Sequence, residues 1–164
     1  MLIALNGVFA MSELAIVSAR TAKLKAMADD GSRGALAALR LGRDPGKFLS
    51  TIQIGITLIG VINGAYSGSA LGQPVGERLA ALGMPADWAA TTGFGLVIGI
   101  TTYLSLVVGE LVPKQFALIA PERIAVIMAA PMELLARLTA PSVWLLYKSS
   151  SLIFRLLGLR RDSR

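Results

Sequence analysis

Two stretches of this chain run longer without a charge than a bilayer is thick. Leu49 to Leu71 (LSTIQIGITLIGVINGAYSGSAL) is uncharged, and so is Trp88 to Gly109 (WAATTGFGLVIGITTYLSLVVG). At about 1.5 Å per residue the first makes a helix of roughly 34 Å, enough to cross a hydrocarbon core of about 30 Å. The rest of the composition agrees. Of 164 residues, 54% are hydrophobic and only 16% charged, where a soluble domain carries about 25% charge. The charges cluster between apolar runs. The chain therefore reads as an all-α polytopic membrane protein.

Two more apolar blocks flank these. Leu2 to Ala19 ends at Arg20 and is interrupted by Glu13. It has no positive leading region and no clear small-residue cleavage site, so it reads as a first span rather than a signal peptide. Ile124 to Leu159 contains Glu133, Arg137, Lys148 and Arg155, and is expected to break at Pro131 and Pro141. Charges at mid-span are rare, so this block is expected as bent amphipathic helices at the membrane surface. The expectation is three transmembrane helices plus juxtamembrane and interfacial helices.

The connections orient the chain. Arg20 to Lys47 holds Arg20, Lys23, Lys25, Arg33, Arg40, Arg43 and Lys47, while Gly72 to Asp87 holds only Arg78 among basic residues. Positive loops stay inside. This places the N-terminus outside, residues 20–47 inside, residues 73–87 outside, and Glu110 and the C-terminus toward the cytoplasm of an inner (plasma) membrane. Within the first loop, Thr21 to Met27 and Arg33 to Leu41 are helix formers separated by the turn Asp29-Asp30-Gly31-Ser32. Asp44-Pro45-Gly46 breaks the chain before the second span.

Composition also excludes chemistry. Without Cys or His there are no thiolate or imidazole metal sites and no Cys-His or Ser-His catalysis. The net charge of +6 is expected to face the membrane surface, not nucleic acid. No enzymatic activity is expected.

Glu110 is the residue that needs a function. It closes the third span and opens Glu110-Leu111-Val112-Pro113-Lys114. A carboxylate there is costly unless a cation, a partner or water meets it. Pro113 has no N–H to offer the carbonyl of Gly109, so a free carbonyl is expected beside the carboxylate. Such oxygens suit a hard cation. Lys114 offers a plainer partner at i, i+4, although Pro113 is expected to distort that turn.

Each span also carries a polar stripe. Asn6 and Glu13 lie two turns apart on one face. Gln53, Thr57, Gly60, and Asn63 or Gly64 follow helical spacing. Thr102 or Tyr103 leads down to Glu110. A shared interior cavity is one reading, and interhelical hydrogen bonding is the other. Gly60, Gly64, Gly68 and Gly72 recur every fourth residue, and Gly95 and Gly99 repeat the interval. This spacing is expected to pack helices closely, within or between subunits.

These motifs together resemble the membrane domain of the CNNM/CorC magnesium transporter family, including its hemolysin-like bacterial members. The matching stretches are Asn6-Gly7-Val8-Phe9-Ala10-Met11-Ser12-Glu13, Phe48-Leu49-Ser50-Thr51-Ile52-Gln53-Ile54-Gly55-Ile56-Thr57, and Gly109-Glu110-Leu111-Val112-Pro113-Lys114. The resemblance covers essentially the whole of residues 1–164. It implies a homodimer with three spans per subunit and a cytoplasmic helical belt. It implies Mg²⁺ export, with Na⁺ coupling. Members usually continue into a cytoplasmic pair of CBS domains, and this chain stops at Arg160-Arg161-Asp162-Ser163-Arg164, where that linker would begin.

The family's cation site maps onto Glu110 and Gly55. Its first-span serines fall on Asn6 and Ala10, and its second-span asparagine falls on Gly60. Asn6 keeps a ligating oxygen; Ala10 and Gly60 have none. The expected ligand set is therefore Glu110, Gly109, Gly55, Asn6, Gln53 and Thr57, with Glu13 and Asn63 as gating or second-site residues. Gly60, Gly64, Gly68 and Gly72 are expected to pack. The competing expectation is a membrane anchor or sensor that transports nothing and relays to the cytoplasmic domains.

Overall fold

The computed structural model describes residues 1–158; Leu159 and the linker motif 160–164 lie outside the described residues. The chain folds as α1 (Leu2–Ser18), α2 (Thr21–Asp29), α3 (Arg33–Arg43), α4 (Pro45–Ala81), α5 (Ala86–Leu106), a π-helical turn (Val107–Leu111), α6 (Val112–Ile119), α7 (Pro121–Leu138) and α8 (Ala140–Leu156). There is no strand among the described residues. The all-α polytopic architecture is as the apolar runs indicate.

Local sequence sets the breaks. Ser32 caps α3 by accepting the Ala35 N–H at 3.2 Å, and Gly31 takes φ +92° in the turn before it, a conformation costly for residues with a Cβ. Asp44 caps α4 through the Lys47 N–H at 3.3 Å, with Pro45 as its first residue. That pairing of acceptor and proline is a strong helix start.

Two elements are long and apolar enough to cross a membrane, Pro45–Ala81 and the continuous stack Ala86–Ile119. Leu58, Val61, Ile62, Tyr66, Ile100 and Leu104 on these helices are exposed, which is the expected state of side chains that meet lipid. α1 is shorter. It is bent by 93° from α2 and packs against α4, α6, α7 and the π turn. On length alone the spans number two, or up to four if each bent pair is one span.

Two boundaries differ from the sequence reading, and a third, the break at Pro141, is where it was expected. Residues 73–81 are not loop: α4 runs through Pro74 to Ala81, and only Leu82–Pro85 turn the chain. Hydrophobicity ends at Leu71, but helix formers and backbone bonding continue past it. Pro131 does not break its helix either; it lies inside α7. The bend of 64° falls at Thr139, and Pro141 sits in the first turn of α8, where a missing N–H costs nothing.

α4 and α5 form a hairpin joined at glycines. A Cβ built on Gly93 would lie 2.5 Å from the Gly76 nitrogen and 2.8 Å from its Cα. The two backbones touch there. Gly68 and Gly72 pack under Phe94. Gly60, Gly64, Gly95 and Gly99 have nothing within 4 Å of a Cβ inside the chain, so α5 packs through Gly93 rather than through Gly95 and Gly99.

The amphipathic helices form a second layer. Ala35, Ala37, Ala38 and Leu41 of α3 are buried with Ala125, Ala129 and Met132 of α7. Arg40 grips Glu133 with two bonds, Nε to Oε1 at 2.8 Å and Nη2 to Oε2 at 2.9 Å, and Arg137 approaches Oε1 at 3.7 Å. Lys23 of α2 meets the buried Glu122 at 3.2 Å. This layer meets the membrane bundle where α1 passes α7.

Candidate cation site

The site is assembled around the π turn. Pro113 cannot donate a backbone hydrogen bond, so the helix cannot keep regular α pairing into it. The Val112 N–H instead reaches the carbonyl of Val107, five residues back. The turn widens, as single π turns inside α-helices do, often at functional positions.

α1 seals against this turn. A Cβ on Gly7 would lie 2.9 Å from Pro113 Cγ and 3.6 Å from the Val108 carbonyl oxygen. A Cβ on Gly109 would lie 3.2 Å from the Ile3 carbonyl oxygen. Gly7 and Gly109 are thus small because the two helices touch through them. Sequence spacing did not single out Gly7.

The carbonyl stranded by Pro113 is not free, and here the structure corrects the expectation. Gly109 O accepts the Asn6 Nδ2–H at 3.0 Å. This bond fixes which way the Asn6 amide points, because a flipped amide would set oxygen against oxygen. Asn6 Oδ1 is left buried and without a hydrogen-bond partner. A buried polar atom in that state is unfavourable by about 1–3 kcal/mol.

Beside it lies a cleft of about 270 Å³ between α1, α4 and α5. Asn6, Asn63, Thr101, Thr102, Ser105 and Glu110 supply its polar wall, and Gly60 and Gly64 its bare backbone. Asn63 Nδ2 donates to Ser105 Oγ at 3.0 Å, tying α4 to α5 across the cleft. Glu110 is about one-third exposed and its Oε1 accepts from Lys114 Nζ at 3.1 Å. The i, i+4 pair forms despite Pro113, because the proline lies between its members and removes only a backbone donor.

Not every expected ligand is here. Gln53 is exposed and donates to Thr57 Oγ1 at 3.4 Å. Neither lines the cleft. Gly55 lies against the Phe9 ring, 2.8 Å from a built Cβ, and is a packing contact between α1 and α4. Glu13 also lies away from the cleft. Thr101 and Ser105 were missed, although with Gly109 they form an i, i+4, i+8 row on α5 and its continuation. No cluster of three or more acidic, Cys or His side chains able to hold a metal exists among the described residues.

The model of the Cyclin M transmembrane N-terminal domain matches residues 1–164. The chain belongs to this family. Among curated relatives, the UPF0053 protein sll0260 of Synechocystis is 48% identical over 96% of this chain and 35% of its own length. The UPF0053 protein YhdT of Bacillus subtilis is 35% identical over 99% of this chain and 35% of its own. The polyamine export protein of Salmonella typhimurium is 32% identical over 94% of this chain and 34% of its own. The chain spans about a third of the length of these relatives. It is a multi-pass membrane domain.

Proposed function

We propose that this chain is the membrane domain of an exporter that moves a small cation, Mg²⁺ first, through the cleft beside Glu110. One observation carries the reading. The Asn6 amide is locked by the Gly109 carbonyl so that Oδ1 stays buried and unpartnered, on a residue that lines the same cleft as the Glu110 carboxylate. A bound cation would satisfy both oxygens.

The donor set suits a hard ion in transit. Mg²⁺ takes about six oxygens and gives up its water reluctantly. A cleft of about 270 Å³ admits the ion with several waters, each about 30 Å³ of liquid volume. Glu110 supplies charge; Asn6, Asn63, Ser105, Thr101 and Thr102 supply neutral oxygens. A single carboxylate binds weakly, which helps an ion that must also leave. Na⁺ is the proposed coupling ion. The family resemblance supports a homodimer and cytoplasmic regulatory domains of the CBS type, and this chain covers only about a third of the length of its curated relatives. The basic first loop supports an N-terminus outside and a C-terminus inside an inner membrane.

A second cargo has its own support. Relatives at 32% and 31% identity carry the name polyamine export protein. A polyamine is also a cation, and its ammonium groups would donate to the same carboxylate, amide and hydroxyl oxygens. Flux measured in proteoliposomes separates the cases. Mg²⁺ efflux that Glu110→Gln abolishes is the expected result. Spermidine efflux without Mg²⁺ efflux would assign the polyamine reading, and flux of neither would leave the anchor or sensor.

A further inference from the structure

We propose that Lys114 is a tethered counter-cation that competes with the cargo for Glu110 and drives its release. The inference rests on the reading of Glu110 as the cargo's carboxylate.

The geometry is asymmetric. Glu110 lines the cleft and Lys114 does not. Lys114 Nζ bonds Oε1 at 3.1 Å, and Oε2 makes no hydrogen bond among the described residues. The carboxylate is therefore shared: one oxygen is held by an internal ammonium, while the residue itself lines the cleft. Both side chains are about one-third exposed, so neither is locked by packing, and an ammonium on a four-carbon stem can swing away. Glu110 belongs to the π turn and Lys114 to the first turn of α6, so the pair spans the junction between irregular and regular backbone bonding.

Two consequences follow. An arriving cation displaces Lys114 from Oε1 or tolerates its charge nearby, and either lowers affinity. When the cargo departs, Lys114 returns and the carboxylate is not left unpaired in an apolar span end, which would otherwise hold the ion back. A lysine that were only a helix staple would contribute to stability and leave both affinity and turnover alone.

The test uses the full-length protein that carries this domain, reconstituted in proteoliposomes, with Mg²⁺ titration and Mg²⁺ flux on the same preparations. Lys114→Met is expected to tighten Mg²⁺ binding roughly fivefold, the scale of a partly exposed ion pair, while slowing maximal flux. Lys114→Arg keeps the charge and is expected to stay at or below wild-type affinity. Glu110→Gln serves as the reference. Unchanged or weaker binding in Lys114→Met, with binding lost in Glu110→Gln, would overturn the role of Lys114 and leave the cation site standing. Binding retained in Glu110→Gln would overturn the site itself. Should Lys114→Met fail to fold, Lys114→Gln with the same titration decides the matter.

Discussion

Asn6 and Gly109 are joined across 103 residues by one hydrogen bond of 3.0 Å, from the side-chain amide to the carbonyl that Pro113 cannot serve. The bond does two things at once. It closes α1 onto the π turn, and it turns Asn6 Oδ1 toward no protein partner. Asn6→Leu strands the buried Gly109 carbonyl, which costs about 1–3 kcal/mol. It also removes the unpartnered Oδ1, an effect of similar size and opposite sign. Any loss of stability should therefore be at the low end of that range. The substitution should also weaken Mg²⁺ binding. Thermal unfolding without Mg²⁺ reads the first effect, and titration reads the second. Lost stability with unchanged affinity would leave the bond structural and take Asn6 out of the site.

Glu110 is the one carboxylate on the cleft wall. Glu110→Gln keeps shape and removes charge, so Mg²⁺ binding should be lost while the fold remains. Glu110→Ala should behave alike. The check is Mg²⁺-dependent thermal stabilisation in both variants. A shift equal to wild type in either would show that the ion is held elsewhere.

The sequence already pointed to the parts of this site that depend on charge and on proline. A carboxylate closing an apolar run and a proline three residues later are local facts, and the widened turn follows from them. Both readings of the polar stripes are present in the structure: Asn6, Asn63 and Glu110 line one cleft, and Asn6–Gly109 and Asn63–Ser105 are interhelical hydrogen bonds. Depth along the helix was not legible. Gln53 lies seven residues from Gly60 and so on nearly the same face, yet that is about 10.5 Å along the axis, beyond the end of the cleft. Helix identity was also hidden in the glycines. Four-residue spacing marked Gly95 and Gly99, but the contact partner of Gly76 is Gly93, and only the crossing angle and offset of two helices decide that. The end of α4 was misplaced for a different reason: hydropathy reports where lipid ends, and the backbone goes on bonding to itself in water.

The layer of α3 and α7 should be acid-sensitive. The Arg40 fork holds the Glu133 carboxyl below its ordinary value of 4.5, with Arg137 adding to it against the opposing effect of burial. A carboxyl depressed in the folded state stabilises the fold above its unfolded pKa, and that contribution is lost as pH falls through the folded value. Stability should thus be flat from neutral pH to about 5 and decline below 4.5. Glu133→Gln should be less stable than wild type at pH 7 and converge with it at low pH. Parallel stability curves for the two proteins across that range would show that the ion pair contributes nothing.

The glycine contacts separate packing inside the chain from packing between chains. At Gly93 a methyl group would strike the backbone of Gly76, which cannot swing aside as a side chain can. Gly93→Ala should therefore destabilise the α4–α5 hairpin by about 1–3 kcal/mol, the usual cost of overpacking. At Gly64 there is nothing within 4 Å of a Cβ in this chain, so Gly64→Leu should leave the hairpin intact. If the Gly60 and Gly64 face, marked by its glycine spacing, is the seam of the homodimer that the family resemblance implies, that same leucine should block the close approach of two subunits. Size-exclusion with light scattering in detergent, alongside thermal unfolding, reads both. The expected pattern is an unstable Gly93→Ala that still pairs, and a stable Gly64→Leu that does not. A dimeric Gly64→Leu would move the seam off this face, and a fully stable Gly93→Ala would mean that the two backbones do not touch.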